Sequence, residues 1–224
     1  MTGPPSPGLT AIRLGPALVR FTGREEGDVG RASPATDVER RRRAVVDRPW
    51  RWASQVHGAN VVWANAKHPD ADALVTTDRE VALAVFTADC APVVLAGPDG
   101  LIAAVHAGWR GLEGGVVEAA VAFLRTAGAS SVWAALGPCI GPCCYEFSEP
   151  DLVGLANRYG AGVRSTTRDG RLALDLPGAV AEAIARTGAE LVSRSGACTS
   201  CSPGYFSFRA RRETQRQAGV VWLS

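Results

Sequence analysis

The chain carries three histidines, His57, His68 and His106, and six cysteines, at positions 90, 139, 143, 144, 198 and 201. Two of the histidines and one cysteine stand where apolar runs end. His57 lies in Gln55-Val56-His57-Gly58, Cys90 closes Thr87-Ala88-Asp89-Cys90, and His106 opens His106-Ala107-Gly108-Trp109-Arg110-Gly111. Polar groups at the ends of buried segments are costly unless paired or ligated. Two imidazoles and a thiolate are ligands of the kind zinc accepts, and three protein ligands with a fourth position open is the count of a catalytic zinc. Zinc lowers the pKa of a bound water from about 15.7 to about 7. The same atoms admit two other readings. Cys90 and His106 can form a nucleophilic dyad, the thiolate activated by the imidazole and a helix N-terminus. Alternatively, Cys90 is a buried free thiol and His106 a satisfied core histidine. Residue types alone leave all three open.

Two arginines suit an anion. Arg110 follows His106 closely, and Arg24 sits in the Gly-rich loop Thr22-Gly23-Arg24-Glu25-Glu26-Gly27-Asp28. Each presents a planar fork matched to phosphate or carboxylate, or else makes a surface salt bridge. Asp89 either orients a ligand histidine or caps a turn. Cys198-x-x-Cys201 with Cys139 and Cys143 has the count of a closed zinc site. With only one CxxC unit, however, free thiols are the expected state of these residues and of Cys144. His68, between Lys67 and Pro69, reads as a loop residue.

The elements that must position these groups follow from periodicity. Apolar runs at residues 83–86 and 101–105 read as strands, the second entered through the turn Gly97-Pro98-Asp99-Gly100 after residues 92–96. Ala17–Phe21, residues 132–136, 171–176, 190–193 and 220–223 read as further strands, with 205–208 a short C-terminal segment. Residues 50–56 and 61–64 look like a hairpin turned at Gly58-Ala59-Asn60. Helices are predicted over residues 36–46, 112–127, Glu149–Tyr159 and 177–187, from i, i+3/i+4 spacing and from glycines at their ends. The helix over 112–127 would aim its positive end at the His106 cluster. The run Glu39-Arg40-Arg41-Arg42-Arg43 reads as the solvated face of its helix.

With 46% hydrophobic and 21% charged residues, the 224-residue chain reads as one soluble globular domain. We expect a flexible segment over 1–16 and a catalytic domain over 17–224. A net charge of +2 gives no reason to propose nucleic acid or membrane as a partner. No apolar run approaches the roughly 20 residues of a membrane span. The N-terminus lacks a basic stretch followed by an apolar core, so a cytoplasmic protein with reduced cysteines is expected. Strands and helices abound without regular alternation, which predicts an α/β or α+β domain with mixed sheets.

Five blocks together resemble a known family. They are Gln55-Val56-His57-Gly58, Ala71-Asp72-Ala73-Leu74-Val75-Thr76, Thr87-Ala88-Asp89-Cys90-Ala91-Pro92-Val93, His106-Ala107-Gly108-Trp109-Arg110-Gly111 and Gly137-Pro138-Cys139-Ile140-Gly141-Pro142-Cys143-Cys144-Tyr145-Glu146. They look like the signature of the YfiH-type laccase-domain family, also called the polyphenol oxidase or purine nucleoside phosphorylase family. Some bacterial members are called peptidoglycan editing factor. The resemblance implies a single-domain α/β sandwich of mixed β-sheets flanked by helices. It implies His57, Cys90 and His106 as metal ligands, with zinc as cofactor and copper under the laccase label. The implied activity is phosphorolysis of adenosine, inosine, guanosine and methylthioadenosine, with deamination of adenosine. Purine nucleoside and phosphate would then be the partners, held by Arg24, Gln55 and Arg110, with Asp89 beside the catalytic trio, in a monomer or homodimer.

Three rival functions remain. Copper-dependent phenol oxidation needs more imidazoles than three for a multicopper site. A metal-free Cys90–His106 hydrolase would act on cell-wall precursors, and an editing factor would turn over nucleosides only incidentally. The chain also departs from the family pattern in the loop after residue 21, which keeps Arg24 but loses a second Gly and a Ser-Leu-Asn. A second departure is Ser207-Phe208-Arg209-Ala210-Arg211-Arg212-Glu213-Thr214-Gln215-Arg216, where the family has Ser-aromatic-Arg-Arg followed by Gly-Arg.

Overall fold

Two strands begin the chain, β1 (Ile12–Leu14) and β2 (Ala17–Phe21), and helix α1 (Ala35–Val45) follows. Strands β3 (Trp50–Arg51), β4 (Val61–Trp63), β5 (Ala73–Thr76), β6 (Ala82–Thr87), β7 (Ala91–Ala96) and β8 (Ile102–Ala107) come next. Then come helices α2 (Trp109–Glu113) and α3 (Val116–Thr126), strand β9 (Trp133–Leu136) and helix α4 (Glu149–Tyr159). The chain continues through β10 (Arg164–Thr166), β11 (Leu172–Leu174), α5 (Leu176–Thr187) and β12 (Glu190–Arg194), and ends with α6 (Phe208–Arg211) and β13 (Gln217–Leu223). This computed structural model describes residues 11–30 and 32–224. Of the segment expected to be flexible, residues 1–10 lie outside the described part, whereas β1 pairs antiparallel with β2.

The strands form two mixed sheets, ordered β1-β2-β13-β6-β3 and β12-β9-β7-β8-β5-β4, plus a small β10-β11 ribbon. Alternation along each strand sorts the core into layers. Val93, Leu95, Ala103 and Val105 pack with residues of α3, α4 and α5. Val94, Ile102 and Ala104 pack with Leu83, Val85, Val19 and Val221 of the other sheet. Ala82, Ala84, Val220 and Trp222 pack with Val45 and Trp50 on the far side. The order is therefore α1, sheet, sheet, helices, the α/β sandwich of mixed sheets that the sequence predicts. Both faces of β7 and β8 are covered, so their side chains are buried throughout, which is why these strands read as continuous apolar runs.

Several expected elements differ. Residues 50–56 and 61–64 form no hairpin: β3 pairs parallel with β6 in one sheet and β4 parallel with β5 in the other. The residues between them are held by a carboxylate rather than by a ladder, as described below. The single helix expected over 112–127 is two, α2 and α3, broken at Gly114-Gly115, where Gly115 takes φ 82°. A Cβ at Gly115 would also collide with the Arg158 guanidinium. The short C-terminal segment expected over 205–208 leads into a helix, Ser207 capping α6 by accepting the N–H of Ala210. The basic run is not wholly solvated. Arg42 turns inward, donates to the carbonyls of Val29 and Gly30, and lies over the rings of Trp50, Trp52 and Phe86.

Candidate metal centre and cavity

His106 is the last but one residue of β8, on the parity of Ile102 and Ala104, so it enters from the gap between the two sheets. Cys90 follows β6 in the turn before β7. His57 comes from the connection between β3 and β4, with φ 61°. The three meet at one end of the sandwich, their nearest ligand atoms within 4.8 Å of one another. Cys90 Sγ lies 3.9 Å from His57 Nε2, and the two imidazole rings stand edge to face with centroids 4.7 Å apart.

Asp72, just before β5, organises this convergence. Its Oδ1 lies 2.8 Å from His106 Nδ1. A carboxylate only accepts, so His106 donates from Nδ1 and leaves Nε2 free for a metal or a proton. The same carboxylate accepts the N–H groups of Val56, His57 and Gly58 at 3.3, 2.9 and 2.7 Å. This winds the Gln55–Gly58 stretch around one buried charge and fixes the left-handed turn at His57. Burial works to raise the Asp72 pKa, but His106 and these N–H groups hold it below the usual carboxylate value.

The electrostatics of the trio are those of a charged pair. Burial alone would raise the Cys90 pKa, yet the charge and hydrogen bonds of His106 and His57 bring it down to about 6. Burial alone would lower that of His106, yet the Cys90 thiolate and Asp72 push it up to about 9. Without a metal the pair is therefore thiolate and imidazolium. A metal would take the place of the proton.

The trio opens on a cavity of about 860 Å³. Phe86, Trp109, Tyr145 and Phe208 supply aromatic walls, and Arg110, Arg209, Arg212 and Arg216 supply four guanidiniums. Arg110 lies over the Trp109 ring, Arg209 over Tyr145 and Arg212 over Phe208. Arg209 and Arg216 donate to backbone carbonyls. Among the described residues none of the four is paired with a carboxylate, whereas Arg24 and Arg211, just outside, both bind Glu213. Positive charge that is left unpaired beside a metal site attracts an anion.

The structure brings His57, Cys90, His106, Asp89, Gln55 and Arg110 to this cavity and leaves Arg24 out of its lining. Arg24 instead ties the chain ends together, bonding Glu213 and the carbonyls of Pro203 and Tyr205. Gln55 spends both ends of its amide on the backbone of Phe86. Asp89 does not orient a histidine, since Asp72 has that place. Asp89 holds φ 108° and accepts from the Thr199 hydroxyl and the Arg209 N–H, each at 2.7 Å. These bonds offset the strain of that backbone conformation and lock the residue beside Cys90. The helix expected to aim its dipole here, α2, has five residues.

Sequence reasoning missed Asp72 as a site residue, although it lies inside a block that carried the resemblance. Arg209, Arg212 and Arg216 were seen only as a departure from the family pattern. A second cysteine group forms from Cys143, Cys144, Cys198 and Cys201. Cys139 is not in it: this residue is buried, and burial with the neighbouring Cys198 pushes its thiol up. No helix among the described residues is long and apolar enough to cross a membrane.

A family model described as multi-copper polyphenol oxidoreductase laccase matches residues 28–224. The chain is 42% identical over 180 residues to a purine nucleoside phosphorylase of Streptomyces coelicolor, covering 77% of this chain and 74% of that protein. It is 39% identical over 186 residues to a purine nucleoside phosphorylase of Xylella fastidiosa, covering 77% and 71%. Among solved structures, a Neisseria meningitidis protein superposes with TM-score 0.82 at 28% identity, over 96% of this chain and 98% of that one. YlmD from Geobacillus stearothermophilus gives TM-score 0.78 at 28% identity, over 92% and 91%.

Proposed function

This chain belongs to the multi-copper polyphenol oxidoreductase laccase family, and we propose that within it the protein is a metal-dependent purine nucleoside phosphorylase. The observation that carries this reading is one cavity lined by both the His57–Cys90–His106 trio and four guanidiniums that, among the described residues, have no carboxylate partner. Relatives named purine nucleoside phosphorylase support it.

The donor set fits a metal. Two imidazole nitrogens and a thiolate converge, one imidazole already held in the ligating tautomer by Asp72, and the remaining side faces the cavity. His57, Cys90 and His106 would hold the ion, which would supply a Lewis acid beside the substrate. Borderline-soft N/S donors in this number suit zinc; copper is the alternative. The other groups do ordinary binding work. Arg110, Arg209 and Arg212 bind phosphate by charge-assisted hydrogen bonds. Trp109, Tyr145, Phe208 and Phe86 give a purine base flat apolar walls. Positioned in this way, an oxygen of hydrogen phosphate attacks the ribose anomeric carbon, the bond to the purine nitrogen breaks, and the base leaves with the proton that the hydrogen phosphate gives up. Holding both reactants in line contributes through proximity and charge stabilisation. Adenosine, inosine, guanosine and methylthioadenosine are the proposed substrates.

Deamination of adenosine is the second reading, favoured by the three-donor set open on the cavity side. Phenol oxidation at a multinuclear copper site is disfavoured by donor count. The chain has three histidines, and His68 Nδ1 is held at the Trp52 carbonyl. The test is turnover of adenosine and inosine with and without phosphate, with metal content measured on the same sample. A free purine base appearing only with phosphate supports phosphorolysis. Inosine formed from adenosine without phosphate supports deamination.

A further inference from the structure

We propose that Cys143, Cys144, Cys198 and Cys201 form a second, closed zinc site that fastens the wall of the cavity. The site is independent of the reaction assigned to the trio. Its four sulfurs lie within 4.8 Å of one another. Cys143 Sγ is 3.4 Å and Cys144 Sγ 3.5 Å from Cys201 Sγ. A tetrahedral zinc with Zn–S bonds of about 2.3 Å spaces its sulfurs about 3.8 Å apart. A disulfide needs about 2.05 Å, and all six cysteines are free.

The local backbone is shaped for this convergence. Cys143 and Cys144 are adjacent, and on an extended chain their side chains would point to opposite sides. The 3-10 turn Pro142–Cys144 turns both toward Cys201. Opposite them, Cys198-Thr199-Ser200-Cys201 folds into a tight turn in which the N–H of Ser202 donates to the Cys198 carbonyl. The N–H of Gly141 donates to the Cys198 sulfur at 3.2 Å. N–H donation to the sulfur stabilises a thiolate, the form a metal binds. Four thiols alone make only weak hydrogen bonds with one another, whereas a divalent cation resolves four converging thiolates at once. The four are half-buried, so an ion can reach them.

The site lies where a clamp is useful. Cys144 precedes Tyr145, which lines the cavity. Thr199, inside the Cys198–Cys201 turn, donates to Asp89 beside Cys90. Arg211 of α6 donates to the carbonyls of Thr199 and Ser200. Outside the sulfur group, the two turns meet through the short bridge between Cys139 and Cys198. Zinc would tie them directly.

The experiment uses the full chain, purified from zinc-supplemented growth and also exchanged with cobalt. The wild type is expected to hold two zinc ions per chain, and Cys90→Ala and Cys201→Ser one each. Cobalt-exchanged Cys90→Ala leaves the cluster intact, so it decides the question even if Cys201→Ser fails to fold. It should show the intense visible bands of tetrahedral tetrathiolate cobalt, which disappear in the Cys90→Ala/Cys201→Ser double variant. One ion in the wild type, lost entirely with Cys90→Ala, would overturn the proposal. So would cobalt-exchanged Cys90→Ala without thiolate bands. A third contrary result is a count of four rather than six titratable thiols in the denatured, metal-stripped wild type, which would mark a disulfide.

Discussion

Asp72 Oδ1 stands 2.8 Å from His106 Nδ1, and the same buried carboxylate gathers the N–H groups of Val56, His57 and Gly58. One side chain thus sets the tautomer of one proposed ligand and the backbone of another. Replacing Asp72 by Asn keeps the shape but puts an NH2 where N–H groups already point. The expected result is a 10–100-fold loss of metal affinity and a stability loss of about 1–3 kcal/mol. Metal retention during dialysis against a chelator and a thermal melt check the two effects separately.

Gly108 is where the trio leaves no room. A Cβ there would sit 3.1 Å from His57 Cδ2 and 3.2 Å from Cys90 Sγ. Its φ of −76° suits any residue, so Gly108→Ala carries no backbone penalty and acts through crowding alone. Weaker metal binding with a melting temperature close to wild type is expected. Unchanged metal content would show that the trio can move aside.

Cys90 in metal-stripped protein should react as a thiolate. With its pKa brought down to about 6, alkylation by iodoacetamide should be near full rate at pH 7. It should fall to half as the pH drops through about 6, where an ordinary thiol titrates near 8.5. His106→Ala removes the positive partner and should move the midpoint upward. In the zinc-loaded protein the thiolate is held by the metal, and the rate should drop at every pH.

Glu213 gives the acid limb of stability. Burial works to raise its pKa, but the Ser207 N–H, Arg24 and Arg211 lower it to about 2. A carboxylate depressed in the folded state contributes its full stabilisation above its unfolded value of about 4.3, and this is lost as the pH falls toward 2. Solvent screening at this partly exposed network limits the contribution to about 1–2 kcal/mol. Glu213→Gln should therefore lower stability at pH 7 and flatten its dependence on pH between 5 and 2. A melt series across that range checks both.

The guanidiniums should sort phosphate from nucleoside. Removing one charge-assisted hydrogen bond costs about 1.5–3 kcal/mol. Arg110→Ala and Arg212→Ala should thus raise KM for phosphate by about 10-fold or more, with a smaller change for nucleoside. Both side chains are exposed and, among the described residues, make no ion pair, so melting temperatures should hold. Equal effects on both substrates would remove phosphate from this wall.

Much of this architecture was legible in the chain because its signals are local. The continuous apolar runs of β6 to β8, the Gly160 end of α4, and the candidacy of His57, Cys90 and His106 at the ends of apolar runs needed no partner to be read. What escaped depended on residues distant in sequence. Asp72 looks like any acid before a strand until three N–H groups and an imidazole are seen to converge on it. The false hairpin at Gly58 came from the same cause, since a carboxylate replaced the ladder that two short apolar runs suggested. Arg24 and Arg209 are alike as sequence, and only the position of Glu213 decides that one is paired while the other faces the cavity. Cys144 could be exchanged for Cys139 because their burial is set by tertiary packing.

The most direct measurement is product analysis with inosine, with and without inorganic phosphate, on wild type of known zinc content beside Cys90→Ala. The account predicts hypoxanthine and ribose 1-phosphate in equal amounts, only when phosphate is present, and a loss of both zinc at the trio and turnover in Cys90→Ala. A zinc-replete wild type that releases no base with phosphate, or a Cys90→Ala protein that turns over as the wild type does, would contradict it.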